Sequence, residues 1–363
     1  MGSGGTALSF AAAPGADLPV ALAAAPVLSF GVAFAVVRLL RQGRISFLRI
    51  LDHPNARSLH QAPVPRTGGV GLLLAVIAGL GLALPWLLTP QVLWPVLATG
   101  LLAAVSLLDD RGHVAARYRL AAQLAAGGLV LAGGLSWHEV GLPGDPIRLP
   151  GWLAPGLSLL FIVWMINLYN FMDGMDGLAG GMAVFGFGTL SALGLLGGAP
   201  GFALVAAVIA AAAGGFLLHN LPRAGIFLGD VGSALLGLWA AMLLLWGAER
   251  DLFPLWAGLL VFSPFLVDAT WTLLRRAARG TAVWRAHREH HYQRLVLAGW
   301  SPRRTLAWAY VLMAAAAASA IAGLDLTTAE QWLLLVGWGG VYALVHLRVD
   351  LVARQRTTGA GES

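Results

Sequence analysis

The chain has 363 residues, of which 58% are hydrophobic and 11% are charged, and its mean hydropathy is +0.76. Soluble domains usually carry about twice this charged fraction, so the composition excludes an ordinary soluble protein and favours an integral membrane protein of many helices. The net charge of +6 comes without a basic face interleaved with aromatic residues, which argues against nucleic-acid binding. Cysteine is absent, which excludes disulfides and cysteine-bound metals.

The apolar segments predict an all-α membrane fold in one domain, residues 19–350, between flexible tails at 1–18 and 351–363. A helix needs about 20 mostly apolar residues to span a bilayer. Eleven segments meet this requirement, although the fourth and fifth are short. They are residues 19–40, 68–88, 91–108, 119–135, 153–168, 178–196, 200–219, 231–247, 252–274, 305–323 and 328–347. Pro264 is predicted to kink the ninth helix, and residues 138–149 to form a small external hairpin that turns at Pro143-Gly144-Asp145.

The arginines predict the orientation of these helices, because cytoplasmic loops of membrane proteins are enriched in basic residues. With the N-terminus outside, 21 of the 23 basic residues, all of them arginine, lie on the inner side. Only Arg148 and Arg250 lie outside. The predicted cytoplasmic parts are the C-terminus and the loops 41–67, 109–118, 169–177, 220–230 and 275–304.

Five polar clusters fall on this predicted cytoplasmic side. They are "DHPNARSLHQAPVPRTGG" (52–69), "LLDDRGHVAARYRL" (107–120), "NLYNFMDGMDGLAGG" (167–181), "IFLGDVGS" (226–233) and "HREHHYQRL" (287–295). Within them Asp109, Asp110, Asp173, Asp176 and Asp230 each lie at an end of an apolar helix. A single such carboxylate is usually a cap or a solvated boundary residue. A carboxylate at the centre of a membrane helix costs about 2.5–3.5 kcal/mol and less near the ends, so five on one side predict a shared cation site.

The third cluster is the most informative. Steps of three residues keep Asn167, Asn170 and Asp173 close to one helical stripe, and Gly174 and Gly177 allow a tight turn beside a ligand. Amides both donate and accept hydrogen bonds, whereas carboxylates only accept. This combination suits a base or sugar hydroxyls next to a hard metal, and oxygen ligands favour Mg²⁺, with Mn²⁺ as a second choice.

At these motifs the chain resembles the polyprenyl-phosphate N-acetylhexosamine-1-phosphate transferases. The resemblance covers about residues 30–350. "NLYNFMDGMDGLAGG" is similar to the family element N-x-x-N-x-x-D-G-x-D-G-L-A, "FLGDVGS" to F-x-G-D-x-G, and "HREHHYQRL" to the H-x-x-H loop. The spelling of the first and last clusters looks closest to the O-antigen-priming branch.

The resemblance implies a reaction and a location. An N-acetylhexosamine-1-phosphate would move from a UDP-sugar to a polyprenyl phosphate such as undecaprenyl phosphate, releasing UMP and priming cell-envelope polysaccharide synthesis. The enzyme would lie in the inner (plasma) membrane with its active site facing the cytoplasm. The resemblance is also compatible with a homodimer.

The resemblance further implies roles for matching residues. The catalytic carboxylates would be Asp109, Asp110, Asp173 and Asp230, and Mg²⁺ would be held by Asp230 with Asp109. Phe227 would stack on the uracil, and the phosphates and sugar would meet the last cluster. The substrate-binding residues would be Asn167, Asn170, Asp176, Phe227, His287, Arg288, His290, Arg57, Arg66 and His60.

One departure concerns the first loop. Many members of the family carry a lysine where this chain has Ser58, and the chain contains no lysine at all. Phosphate contact from this loop must therefore come from Arg57, Arg66 or His60.

Two other functions fit part of the pattern. A CDP-alcohol phosphotransferase also has a D-x-x-D-G run, but it needs two further aspartates on the next helix, and residues 178–196 contain none. A transporter of nucleotide-sugars or cations would place its polar groups near the middle of the membrane, often in paired broken helices. The polar groups here lie at one face, which favours the enzyme.

Overall fold

The computed structural model describes residues 18–52, 63–83, 90–282 and 287–359. Arg57, Ser58 and His60 lie outside these ranges, as do residues 1–17 of the first predicted tail and 360–363 of the second. The described part contains twelve α-helices. They are α1 (Leu18–Arg41), α2 (Gly68–Leu82), α3 (Leu93–Arg111), α4 (Ala116–Ala132), α5 (Ala154–Met172), α6 (Leu178–Leu196), α7 (Pro200–Asn220), α8 (Gly229–Glu249), α9 (Leu255–Ala278), α10 (His291–Leu297), α11 (Pro302–Ala322) and α12 (Thr328–Gly359).

The predicted all-α membrane fold is confirmed in its main features. Within the described ranges, nine helices are long and apolar enough to cross a membrane, so the chain is a multi-pass membrane protein. The two other predicted segments are also helical, but α2 has only 15 residues and α4 has 17, including Arg117 and Arg119. The count of eleven spans and the orientation stay predictions.

Helix α8 lies at the centre of the bundle, and nearly all of its most apolar stretch is buried among other helices. It packs against α5 and α3 on one side and against α2 on another, while α1, α6 and α7 pack together beside them. Helix α12 is mostly exposed, with side chains such as Leu333 and Leu344 turned outward. Since lipid tails are as apolar as leucine, an outward apolar face is what a membrane-spanning helix requires.

Two short hairpins flank the bundle. Strands β1 (Leu51–Asp52) and β2 (Val64–Pro65) pair in antiparallel fashion and place the residues just before α2. Strands β3 (Glu139–Val140) and β4 (Ile147–Arg148) pair with Glu139 opposite Arg148, which confirms the hairpin predicted at 138–149. Its external position stays a prediction.

Helix α9 continues through Pro264. A proline has no N–H, so the carbonyl of Leu260 loses its usual helical donor. The Ser263 hydroxyl donates to that carbonyl at 2.6 Å and lies 2.5 Å from the Tyr342 hydroxyl of α12. The carbonyl is therefore satisfied inside the bundle, and the predicted kink stays a prediction.

Candidate active site

Polar side chains from four elements converge where the ends of α3 and α5 meet the starts of α2 and α8. The Arg66 guanidinium lies between two carboxylates, donating to Asp110 Oδ1 at 2.8 Å and to Asp230 Oδ2 at 3.0 Å. From the other side, Asn170 Nδ2 donates to Asp230 Oδ1 at 2.8 Å. Three residues predicted from separate sequence motifs, together with one arginine of the first loop, thus form one hydrogen-bonded group.

Asp110 anchors the start of α8. Its Oδ1 accepts a hydrogen bond from the backbone N–H of Asp230 at 3.0 Å, and its Oδ2 accepts one from Val231 at 3.2 Å. The first N–H groups of a helix have no partner within the helix, so a carboxylate at this end satisfies them and interacts favourably with the helix dipole. The Asp110 side chain is fully buried, and it fixes the position of Asp230 relative to α3.

The segment around Arg66 is held by backbone pairing with the segment before α8. Phe227 N–H donates to the Pro65 carbonyl at 2.7 Å, and Gly68 N–H donates back to the Phe227 carbonyl at 2.9 Å. Gly229 has φ of +74°, and a Cβ there would lie 2.0 Å from the Arg66 carbonyl oxygen. Glycine is thus required for the close approach that brings Arg66 to Asp230.

Asp173 directly follows α5 and is half-buried. No residue that the structure describes makes a hydrogen bond or an ion pair with its carboxylate. Burial raises the pKa of Asp173 well above its usual range, and the neighbouring carboxylates of Asp230 and Asp110 raise it further. We call Arg66, Asp110, Asn170, Asp173 and Asp230 the acidic cluster. It sets three carboxylates against one guanidinium, so it favours a further cation.

The histidine-rich motif lies over the end of α5. The Tyr292 hydroxyl of α10 donates to the Phe171 carbonyl at 3.2 Å, and the His290 ring stacks on the Phe171 ring with centroids 6.2 Å apart. A Cβ on Gly174 would lie 2.1 Å from the Tyr292 hydroxyl, so only glycine allows this approach. Burial first, and then the neighbouring His290 and Arg276, lower the pKa of His287 to about 4.

Comparison with known proteins assigns the family. Residues 92–248 match the model of glycosyl transferase family 4. The decaprenyl-phosphate N-acetylglucosaminephosphotransferase of Mycolicibacterium smegmatis is 32% identical to this chain, over 92% of the chain and 88% of the relative. The chain belongs to glycosyl transferase family 4.

Other family 4 relatives cover similar lengths. A probable undecaprenyl-phosphate N-acetylglucosaminyl 1-phosphate transferase of Bacillus subtilis is 29% identical over 78% of this chain and 79% of its own length. A phospho-N-acetylmuramoyl-pentapeptide-transferase of Synechococcus is 32% identical over 73% of this chain and 81% of its own length. These relatives confirm the resemblance found in the motifs and identify this family 4 chain as a phosphosugar transferase.

The two adjacent aspartates of α3 have different hydrogen-bond partners. The Asp109 carboxylate accepts from Arg119 at 2.9 Å and from the backbone N–H of Val114 at 2.8 Å. It therefore stabilises the turn between α3 and α4, and it makes no hydrogen bond to the acidic cluster, among the residues that the structure describes. Its predicted roles in metal binding and catalysis stay predictions.

Asn167 and Asn170 also contact different helices. Asn167 exchanges hydrogen bonds with Gln123 of α4, with its Nδ2 2.8 Å from Gln123 Oε1, and donates to the Val163 carbonyl at 2.7 Å. Asn170 instead bonds Asp230 of α8. Asn167 thus joins α4 to α5 at one side of the cluster, and its predicted contact with the substrate stays a prediction.

Asp176 orders the turn between α5 and α6 relative to the loop before α8. Its Oδ2 accepts from the backbone N–H of Ala224 at 2.9 Å. The next residue, Gly177, has φ of +77°, donates its N–H to Asn220 Oδ1 at 2.9 Å and accepts from the Tyr310 hydroxyl at 2.8 Å. Neither Asn220 nor Tyr310 was predicted as a site residue, because neither belongs to one of the five polar clusters of the sequence.

The remaining predicted site residues are only partly covered. Phe227 lies beside the acidic cluster and is half-buried, as is Arg288 in the histidine motif. Their predicted contacts with uracil and phosphates stay predictions. Arg57 and His60 lie outside the described residues, so Arg66 is the one predicted first-loop site residue that is described, and Asp52 of the same loop lies 3.9 Å from it.

Proposed function

We propose that this family 4 protein transfers an N-acetylhexosamine-1-phosphate from a UDP-sugar to a polyprenyl phosphate. The products are UMP and a lipid diphosphate sugar. N-Acetylglucosamine is the first sugar to test, because the Mycolicibacterium and Bacillus relatives carry it in their names. The observation that carries the proposal is the acidic cluster, in which one arginine is held between two carboxylates beside a third carboxylate, Asp173, that has no hydrogen-bond or ion-pair partner among the described residues.

The charges of the cluster fit a reaction between two phosphates. Both proposed substrates are anionic, and three carboxylates with one guanidinium would repel them. A divalent cation reverses this repulsion. Arg66 can then exchange its carboxylate contacts for phosphate oxygens, which its planar guanidinium binds in the same two-pronged geometry.

The donor set fits Mg²⁺. Among the described residues no three His, Asp or Glu side chains are spaced to enclose a metal ion by themselves. Mg²⁺ is ordinarily held by one or two carboxylates together with substrate phosphates and water. Asp230 and Asp173 are the best-placed ligands, because Asp110 caps α8 and Asp109 is held by Arg119. When bound, the ion would neutralise phosphate charge and stabilise the departing UMP.

The proposed chemical step needs little proton transfer. An oxygen of the lipid phosphate attacks the β-phosphorus of the UDP-sugar. The bond from that phosphorus to the bridging oxygen breaks, and UMP leaves with this oxygen and the electron pair. A lipid phosphate is already largely ionised near neutral pH, so the carboxylates serve to position groups and balance charge rather than to remove a proton. The histidine motif, which is partly cationic through Arg288, would contact the diphosphate or sugar.

The proposed setting follows from the arginine distribution. The predicted inner side holds 21 of the 23 arginines together with the acidic cluster, and UDP-sugars are cytoplasmic metabolites. We therefore propose an inner-membrane enzyme whose site faces the cytoplasm and whose product primes a cell-envelope polysaccharide, with O-antigen synthesis as the candidate pathway.

A reconstitution experiment tests the reaction. Purified protein is incubated with undecaprenyl phosphate, Mg²⁺ and each of several UDP-N-acetylhexosamines, and the lipid product is identified by its mass while UMP is quantified. Formation of a lipid diphosphate sugar with one equivalent of UMP is expected for one donor. Absence of UMP with every donor, from folded protein, would refute the proposal. Uptake of labelled UDP-sugar into vesicles in the same preparation would instead support the transporter.

A further inference from the structure

A second buried carboxylate, on a different helix from the acidic cluster, contacts two histidines of the histidine-rich motif, His290 and His291. Asp268 lies within α9, and its side chain is only 10% exposed. Its two oxygens each accept from the backbone N–H of His291 at 3.0 Å. Its Oδ1 also lies 2.8 Å from His291 Nδ1 and 3.3 Å from His290 Nδ1. The Thr272 hydroxyl donates to the same oxygen at 3.2 Å.

These contacts fix the proton on each imidazole. An ionised carboxylate can only accept hydrogen bonds, so Nδ1 of both His290 and His291 must carry a hydrogen. A histidine ring bonded through Nδ1 to a carboxylate is held in one orientation and one tautomer. The Nε2 atom of His290 makes no hydrogen bond with any described residue and is the ring atom left for a ligand.

A third histidine, from the last helix, completes the arrangement. His346 of α12 has its Nδ1 2.7 Å from His291 Nε2. Since His291 already donates through Nδ1 to Asp268, its Nε2 accepts this hydrogen bond and His346 donates it. The His346 ring also stacks on Trp271 of α9, with centroids 4.9 Å apart and 15° between the planes. The side chains of Asp268, His291 and His346 thus form a continuous series of polar contacts from α9 to α12.

Two ion pairs hold α12 in place against α9 and α10. Asp350, one turn beyond His346, pairs with Arg275 of α9 at 3.1 Å and with Arg294 of α10 at 2.6 Å. The same three helices that carry this series of contacts are therefore fixed to one another at a second point. The His290 ring stacks on Phe171 and also contacts His287, which places it beside the segment that ends in Asp173.

We propose that Asp268, and His346 through its bond to His291, are positioning residues that hold His290 in the Nδ1–H tautomer, with Nε2 left to accept a hydrogen bond from a hydroxyl of the donor sugar. The assignment rests on the proposed function for its ligand. The last helix thereby contributes to the site although it carries none of the family motifs.

The test combines histidine NMR with kinetics on Asp268→Asn. The side-chain amide offers one acceptor oxygen and one donor nitrogen, so it cannot accept from both imidazoles and one ring must change tautomer. Protein labelled with ¹⁵N-histidine, without substrate, should show His290 protonated at Nδ1 in the wild type and at Nε2 in the variant. His290→Gln assigns the signal. With UDP-N-acetylglucosamine and undecaprenyl phosphate, kcat/KM should fall about 10- to 100-fold, which is typical when the partner that orients a functional histidine is removed.

Three further variants keep the test decisive if Asp268→Asn does not fold. His346→Phe retains the stacking on Trp271 but removes the hydrogen bond to His291, and kcat/KM should fall about fivefold, as expected for one lost hydrogen bond. Arg348→Gln, an exposed neighbour on α12, is its matched control and should leave kcat/KM unchanged. Thr272→Val removes a contact to Asp268 without touching either imidazole and should preserve the tautomer.

The outcomes separate this inference from the proposed function. A His290 signal protonated at Nε2 in the wild type, or unchanged tautomer and kcat/KM in both Asp268→Asn and His346→Phe, overturns the positioning role. Because the NMR measurement needs no substrate, it decides the tautomer even if no UDP-sugar is turned over. In that case the proposed function fails, whereas the positioning of His290 by Asp268 stands on its own measurement.

Discussion

Asp230 is the residue on which most contacts of the acidic cluster meet. Its oxygens accept from Arg66 and Asn170, and its backbone N–H donates to Asp110. An asparagine at this position keeps the size and the backbone bond but loses the charge. Without this negative charge, the site binds a divalent cation less well and no longer offsets the charges of the two phosphates.

Asp230→Asn should therefore lower kcat by about 10²- to 10³-fold, as expected for the loss of one preorganised electrostatic contact in an active site. The variant should still elute as a folded protein in detergent. Asp145→Asn in the exposed turn between β3 and β4 is the matched control. If the variant turns over substrate nearly as fast as the wild type at limiting Mg²⁺, Asp230 is not a ligand of the metal.

Phe227 has both backbone groups committed to the pairing with Pro65 and Gly68, so truncating its ring leaves the main chain in place. If the ring stacks on uracil, Phe227→Ala should raise the KM for UDP-sugar about 5- to 150-fold. This range corresponds to about 1–3 kcal/mol for stacking of one base, at 1.4 kcal/mol per tenfold change. The KM for undecaprenyl phosphate should hardly move.

Phe227→Trp is the matched variant, because it retains an aromatic face and should keep most of the affinity. Kinetics with each substrate varied in turn, beside a melting curve, separate stacking from packing. If the Ala variant melts at a lower temperature and weakens both substrates equally, the ring serves packing.

The lowered pKa of His287 makes the stability of the fold depend on pH. Its pKa falls from an ordinary 6.5 to about 4, through burial first and then through the neighbouring His290 and Arg276. Between these values the unfolded chain binds a proton that the folded chain does not. The contribution of His287 is thus fully present above pH 6.5 and is lost as the pH falls toward 4.

His287→Gln removes this titration and should flatten the acid side of the stability curve. Melting temperatures of wild type and variant, measured in detergent from about pH 7.5 to about pH 4.5, should converge as the pH falls. Parallel curves over this range would show that the protonation of His287 is not linked to folding.

At the scale of the elements, the crossing of α2 and α8 sets the distance between Arg66 and Asp230. The crossing depends on Gly69, where a Cβ would lie 2.1 Å from the backbone nitrogen of Gly232. A Cβ on Gly81, in the same helix, would have open space for 4 Å around it among the described residues. Gly69 is therefore tightly packed and Gly81 is not, although both lie in α2.

Gly69→Ala should separate the helices, lower the unfolding free energy by about 1–3 kcal/mol and reduce turnover, because Arg66 moves with α2. Gly81→Ala should cost nothing and can gain up to about 1 kcal/mol from helix propensity. The test compares the melting temperatures and the turnover of the two variants. Equal behaviour of both would mean that the close crossing is not needed for the site.

At the scale of the whole molecule, the orientation in the membrane can be tested with single cysteines, because the chain contains none. Exposed positions are required, and Gln42, Thr281 and Asp145 are exposed. In intact cells an impermeant thiol reagent should label Asp145→Cys and should not label Gln42→Cys or Thr281→Cys until the membrane is opened. Labelling of Gln42→Cys from outside would place the acidic cluster on the other face.

The sequence by itself determined the class of fold, the family and which motifs supply the residues of the acidic cluster. Hydropathy acts over about 20 consecutive residues, so each apolar segment is visible without its neighbours. The carboxylates and amides of the acidic cluster stand out because ionisable groups at the ends of apolar helices are costly. This is why Asp110, Asn170, Asp173 and Asp230 could be named before their contacts were known.

Only the tertiary structure decided which partner each side chain meets. Successive helical residues point roughly 100° apart, so Asp109 bonds Arg119 while Asp110 bonds Arg66. A step of three residues still rotates the side chain by about 60°, which sends Asn167 to α4 and Asn170 to α8. Asp268 and His346 lie in largely apolar helices, outside the five polar clusters of the sequence. Their connection to His290 exists only because three helices far apart in the sequence pack at one point.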